Sequence, residues 1–155
     1  NAQLMAKLEG IRRAASVAMG IAPDLETAGT ISGPGIAFVA PPVAMTTLSG
    51  RQLAPADMDI AVRVISNGQP HRATPLTGAL CLSVATRLNG SIPNAMALGL
   101  AADATSIRIG HPSGRIVVDA KVTAGKDGAE PVAEYAAVYR TARRLFEGRV
   151  LYRTT

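Results

Sequence analysis

Cysteine occurs once, at Cys81, tryptophan is absent, and aromatic residues make up only 3% of the 155-residue chain. A single cysteine excludes an internal disulfide framework and a cysteine-rich metal site, and it is the usage expected of a cytoplasmic protein. The scarcity of rings excludes a stacking platform for nucleic-acid bases and leaves the core to Ala, Val, Ile, Leu and Met. No apolar run approaches the roughly 20 residues of a membrane span, and the opening residues lack the continuous apolar stretch of a signal peptide. Neither a membrane nor a nucleic-acid partner is therefore expected.

What remains is the composition of a folded domain. Hydrophobic residues make up 48% and charged residues 17%, outside the low-hydrophobicity, high-charge range of disordered chains. A chain of this length forms one domain and buries roughly two thirds of its unfolded surface. The net charge of +5 favours anionic partners. The basic residues are scattered, apart from Arg140, Arg143 and Arg144, and no aromatics interleave with them as single-strand binding requires. The chain opens on Asn1 with an amphipathic pattern almost at once, which reads as part of a longer protein.

Leu4, Leu8, Ile11, Ala15 and Ala18 recur at helical steps, with Lys7, Arg12 and Arg13 elsewhere on the wheel, so an amphipathic helix is predicted there. Gly20 and Pro23 stop it, and the Gly, Thr, Ser and Pro content of 22–35 reads as a loop. Residues 36–40 form a short apolar strand closed by Pro41 and Pro42, with 43–48 as its expected hairpin partner. Residues 59–66 alternate as a strand. After 67–76, rich in turn formers, Leu80, Val84 and Leu88 mark a helix ending at Gly90. Strands are expected at 106–109, 115–123 and 132–138, then a short helix over 141–146 and a strand over 150–152. The sum is a single α+β domain with a mostly antiparallel sheet.

The most informative junction is Ser66-Asn67-Gly68-Gln69-Pro70-His71 running into Thr77-Gly78-Ala79 at the start of a largely apolar helix. A helix start offers unpaired N–H groups and the positive end of the dipole, and Gly78 removes a side chain that would hold a ligand off. A carboxylate fits such a place. The competing reading has Thr77 capping its own helix and Gly78 filling a tight packing position. His71 has the chemistry to donate to a carboxylate or to shuttle a proton near neutral pH. His111, in a Pro-Ser-Gly turn, reads as a solvated turn residue, and Cys81, one turn inside the helix, as a buried structural thiol. Two histidines without an acidic cluster do not make a metal site. Neither a Ser-His-Asp arrangement nor a nucleotide-binding glycine fingerprint is present. The 140–148 segment reads as a solvated basic face, or as a polyanion attractor if it lines a cleft.

Three segments resemble one family: 66–73 leading to Thr77-Gly78-Ala79-Leu80-Cys81, then Ile109-Gly110-His111-Pro112-Ser113-Gly114, and 140–148 followed by Val150. They are similar in order and spacing to the C-terminal half of the PrpF-like methylaconitate and methylitaconate isomerases and 4-oxalomesaconate tautomerases. The resemblance implies a diaminopimelate-epimerase-like fold, two domains each wrapping a sheet around a central helix, with the active site between them. This chain would be the second domain. It implies a proton and double-bond shift in a small unsaturated polycarboxylate, with no organic cofactor and no metal. Its substrate-binding positions would be Ser66, Asn67, Gly68, His71, Thr77, Gly78 and Ala79. The family's acid and base, a lysine and a cysteine, belong to the first domain, so Cys81 does not inherit that role.

The partners implied are the small polycarboxylate, the missing N-terminal domain and, where that domain's contact face is left open, a second copy of the chain in a homodimer. An epimerase or racemase of the same fold would place a cysteine at the mouth of the central helix, where this sequence has Leu76 and Thr77. A non-enzymatic carboxylate-binding accessory domain is the alternative of a different class.

Overall fold

The computed structural model describes residues 2–66, 68–101, 103–125, 129–139, 143–149 and 151–152, with the Ser66 side chain excluded. The elements in order are α1 (Ala2–Ala18), α2 (Leu25–Thr30), β1 (Ile36–Ala40), β2 (Met45–Thr46), β3 (Gln52–Leu53), β4 (Ile60–Ser66), β5 (Gln69–Pro70), α3 (Leu76–Ala85), α4 (Ile92–Met96), β6 (Ser106–His111), β7 (Gly114–Thr123) and β8 (Val132–Val138).

The main sheet runs β1-β4-β6-β7-β8, with β5 turned back onto β4. All its pairings are antiparallel except β4 with β6. That parallel step follows from topology, because the chain leaves β4, crosses through α3 and α4, and returns in the same direction. Strand alternation puts Ile60, Val62, Val64, Ile107, Ile109 and Val118 on one face, where they form the core with Ala79 and Leu82 of α3. The sheet thus packs around α3 as its central helix, in a mixed α+β architecture.

The opposite face carries a smaller cluster of Leu53, Met58 and Ala61, covered by the excursion through β2 and β3. Met58 enters because Gly110 on β6 lacks a side chain; a Cβ there would overlap the Met58 sulfur. Residues 45 and 46 pair with 53 and 52, so the expected hairpin between 36–40 and 43–48 does not form. β1 pairs instead with β4, because the prolines after Ala40 turn the chain away before a hairpin can close.

Helix α1 forms where its periodicity predicts, but its buried stripe is Leu8, Arg12 and Ser16, whereas Leu4 and Ile11 are 43% and 49% exposed. Arg12 is the correction: expected on the polar face, it is 4% exposed. Its guanidinium donates to the carbonyls of Ala28, Ile31 and Gly33 and to both carboxylate oxygens of Glu9. A buried cation is tolerated when its donors are used in this way. The same bonds order the segment read as a loop, in which α2 starts under an Asp24 side-chain cap. Hydrogen bonds from Arg12, then from Arg13, hold the Glu9 carboxyl down at about 2.

Helix α3 ends at Ala85, short of Gly90, and α4 follows under a Ser91 cap. Arg87 closes the end of α3 by donating to the carbonyls of Ser83, Ala104 and Thr105. Burial lowers the Arg87 pKa below its ordinary value. Residues 143–146 are not helical, and 151–152 form no strand; Arg140, Thr141, Ala142 and Val150 lie outside the described residues. No helix among the described residues is long and apolar enough to cross a membrane.

A candidate carboxylate site at the start of the central helix

The N-cap of α3 is Pro75, and no side chain caps this helix. Proline has no side-chain acceptor to offer, in contrast to Asp24 on α2 and Ser91 on α4. Thr77 is therefore not the cap that one sequence reading made it; it sits at the second helical position, exposed. The first N–H bonded within the helix is that of Ala79, which donates to the Pro75 carbonyl at 2.9 Å. The N–H groups of Leu76, Thr77 and Gly78 precede it, as the unpaired donors of a helix start do. They carry the positive end of the dipole.

Gly78 leaves this mouth open: a Cβ there would meet only Pro75 atoms, at 3.9 Å. Ala79 is fully buried and faces the core, so its place in the site is that of a floor under Thr77 and Gly78. Gly68 has φ +69°, which glycine adopts without strain, and turns β4 back into β5. His71 follows that turn, and its N–H donates to the Val64 carbonyl at 2.8 Å. Ser66 ends β4, and Asn67 lies outside the described residues. The described residues between Ser66 and Ala79 thus end β4, turn back through β5 and enter α3.

The Ile109–Gly114 segment is the hairpin joining β6 to β7, with His111 paired to Gly114. The Ser113 hydroxyl donates to the Arg72 carbonyl at 2.5 Å, which brings this hairpin to the segment entering α3. His111 is not a solvated turn residue: it ends β6 and is 8% exposed. Its Nδ1 accepts from the Ser113 N–H at 3.2 Å, and burial pushes its pKa below the ordinary histidine value. Cys81, read as a buried thiol, is exposed; α3 turns Ala79, Leu82, Ser83 and Thr86 inward instead.

A cavity of about 810 Å³ lies at the other end of α3, bordered by Arg87, Asn94, Asp103 and Lys121. Its border carries both signs, Arg87 and Lys121 with Asp103 and Glu130, and it lies away from the free N–H groups of the helix start, which attract anions. Among the described residues no group of His, Cys, Asp or Glu side chains is placed to hold a metal ion.

The family model described as PrpF protein matches residues 1–153. The chain belongs to the PrpF family. It is 36% identical over 145 residues to the 2-methyl-aconitate isomerase of Shewanella oneidensis, covering 93% of this chain and 36% of that protein. It is 37% identical over 153 residues to the 3-methylitaconate isomerase of Eubacterium barkeri, covering 97% of this chain and 38% of that protein. The crystal structure of methylitaconate-delta-isomerase superposes with a TM-score of 0.76 at 31% identity, covering 90% of this chain and 37% of that one. The PrpF-family fold accounts for the sheet packed around α3. The chain spans little more than a third of the length of these relatives.

Proposed function

We propose that this PrpF-family chain supplies the substrate-binding second half of an isomerase that shifts a proton and a double bond in a small unsaturated di- or tricarboxylate such as methylaconitate or oxalomesaconate. The observation that carries the reading is the uncapped, glycine-opened start of α3, where the N–H groups of Leu76, Thr77 and Gly78 precede the first intrahelical bond. Fixed N–H dipoles bind a carboxylate in the ground state and gain most where negative charge develops. In a 1,3 proton shift, a base removes a proton beside a carboxylate, charge spreads through the conjugated system, and an acid reprotonates a different carbon. The role of α3 is to hold one carboxylate so that this charge grows toward aligned donors. The acid and base are assigned by resemblance to the first domain.

One feature supports a second body over this domain. Leu145, Phe146, Leu151 and Tyr152 are between 76% and 94% exposed. The occupant is the first domain or, in its absence, a second copy; sedimentation of a monodisperse monomer at high concentration would remove the second-copy reading.

The test is proton NMR in heavy water, following deuterium incorporation and isomerisation of methylaconitate and oxalomesaconate by this chain alone and joined to a first domain. Activity confined to the joined protein is expected. Activity in the chain alone would move the acid and base here, and silence from both would favour an accessory binding domain.

A further inference from the structure

Helix α1 carries most of its charge on its buried side. Three of its four charged side chains, Glu9, Arg12 and Arg13, bond to one another toward α2. There the Arg12 guanidinium donates to the carbonyls of Ala28, Ile31 and Gly33, and that of Arg13 lies against Gly29. At about 100° of turn per residue, Gln3, Lys7, Gly10, Ile11, Ala14 and Ala18 fall together on the opposite face, and all are exposed. Lys7 is the only charged residue among them.

A helix face turned to water is ordinarily polar, whereas here the buried face holds the ion pairs. Gly10, Ala14 and Ala18 follow at four-residue steps, so their small side chains leave a shallow groove along the helix in which another element can settle. Ile11, 49% exposed, stands on its rim. Met19, Ile21 and Leu25, just beyond the helix, are also open to water. The size of this face decides what covers it. Its six residues are far fewer than the about 20–30 a side of a stable interface between separate chains. A partner joined in the same chain, present at an effective concentration on the order of millimolar, docks on less. The chain spans 36% and 38% of the length of the two isomerases it matches, which leaves room for such a partner.

We propose that the outer face of α1, centred on Ile11 and Ala14, is the docking surface for the first domain of a PrpF-length chain. The inference rests on the reading of this chain as the second half of an isomerase and deepens it by naming where the two halves meet. The surface that fits there is apolar, with a carboxylate opposite Lys7, the one charge that would otherwise be covered without a partner. By bonding to the carbonyls of Ala28, Ile31 and Gly33, Arg12 also fixes the rotation of α1 about its axis. Small residues rather than ion pairs therefore point at the first domain.

The probe is a soluble gadolinium chelate, whose relaxation of a methyl group reports how open that methyl is to water. It is added to methyl-labelled protein, as this chain alone and joined to a first domain. The methyls of Ile11 and Ala14 are expected to relax strongly in the chain alone and to lose most of that effect in the joined protein. Those of Leu8, 5% exposed, stay shielded in both. Ala14→Arg places a long cation on an exposed position, so the Tm of the chain alone should stay within about 2 °C, while Ile11 in the joined protein becomes open again. Open methyls in a joined protein that isomerises methylaconitate or oxalomesaconate would overturn this surface and leave the isomerase reading standing. Open methyls without activity would overturn both, and shielding without activity would uphold the surface and count against the isomerase reading. Methyls already shielded in the chain alone, with sedimentation showing a dimer, would give the face to a second copy and overturn the assignment. Should Ala14→Arg unfold the joined protein, the wild-type comparison decides.

Discussion

The hydroxyl of Ser113 donates to the backbone carbonyl of Arg72 at 2.5 Å, across 41 positions of sequence. This is the contact by which the β6–β7 hairpin meets the segment entering α3. Ser113→Ala removes it without changing the fold, and because Ser113 is exposed the loss lies near the lower end of about 0.5–1.5 kcal/mol. Urea denaturation measures that cost.

A side chain at Gly110 has no room. A Cβ there would overlap the Met58 sulfur, and Met58 is itself only 2% exposed. Gly110→Ala is expected to cost about 1–3 kcal/mol, the range of an overpacked core. In a Met58→Ala background the same substitution should cost clearly less, because the two residues share one space. Equal costs in both backgrounds, by chemical denaturation, would contradict the packing described.

Acid should release the clamp on the α2 segment. The Glu9 carboxyl sits at about 2 when folded, through hydrogen bonds from Arg12 and Arg13, against an ordinary value of 4.5. A depressed carboxylate contributes stability that is present above the unfolded value and lost as pH falls through the folded one. The stability difference between wild type and Glu9→Gln should therefore be full above pH 4.5 and shrink toward pH 2. Arg12→Met, which strands the carbonyls of Ala28, Ile31 and Gly33, should cost about 3 kcal/mol at neutral pH. Denaturant melts across that pH range provide both readouts.

Gly78 separates stability from binding. It lies inside α3 with space around it, so Gly78→Ala should stabilise the helix by about 0.5–1 kcal/mol. The added methyl sits at the mouth where an anion would approach the N–H groups, so binding of tricarballylate, a saturated tricarboxylate that cannot isomerise, should weaken. A variant that is more stable and binds equally well would mean that the carboxylate is held elsewhere.

The strands at 60–66, 106–111 and 114–123 were legible because alternation is a local pattern and each of these strands buries part of its length; the strand at 132–138, exposed or half-buried throughout, was also legible from its residues. Helix α1 was legible from its periodicity, and the 66–79 junction from its glycines and prolines, which act on their own backbone. Helices α2 and α4 were not: at 6 and 5 residues they are too short to show a period and depend on caps and on Arg12. Residue for residue, the site divides in the same way.

Composition and local pattern were enough to say that the chain folds, that its core is aliphatic, and that a glycine-opened helix follows a strand and a turn. It took the folded arrangement to show that Arg12 and His111 are buried, that Cys81 is exposed, that no side chain caps α3 after Pro75, and that Ser113 reaches the Arg72 carbonyl in the segment entering α3. The physical reason is range: propensity and periodicity act over a few residues, whereas the burial of a polar side chain depends on partners that arrive from distant strands.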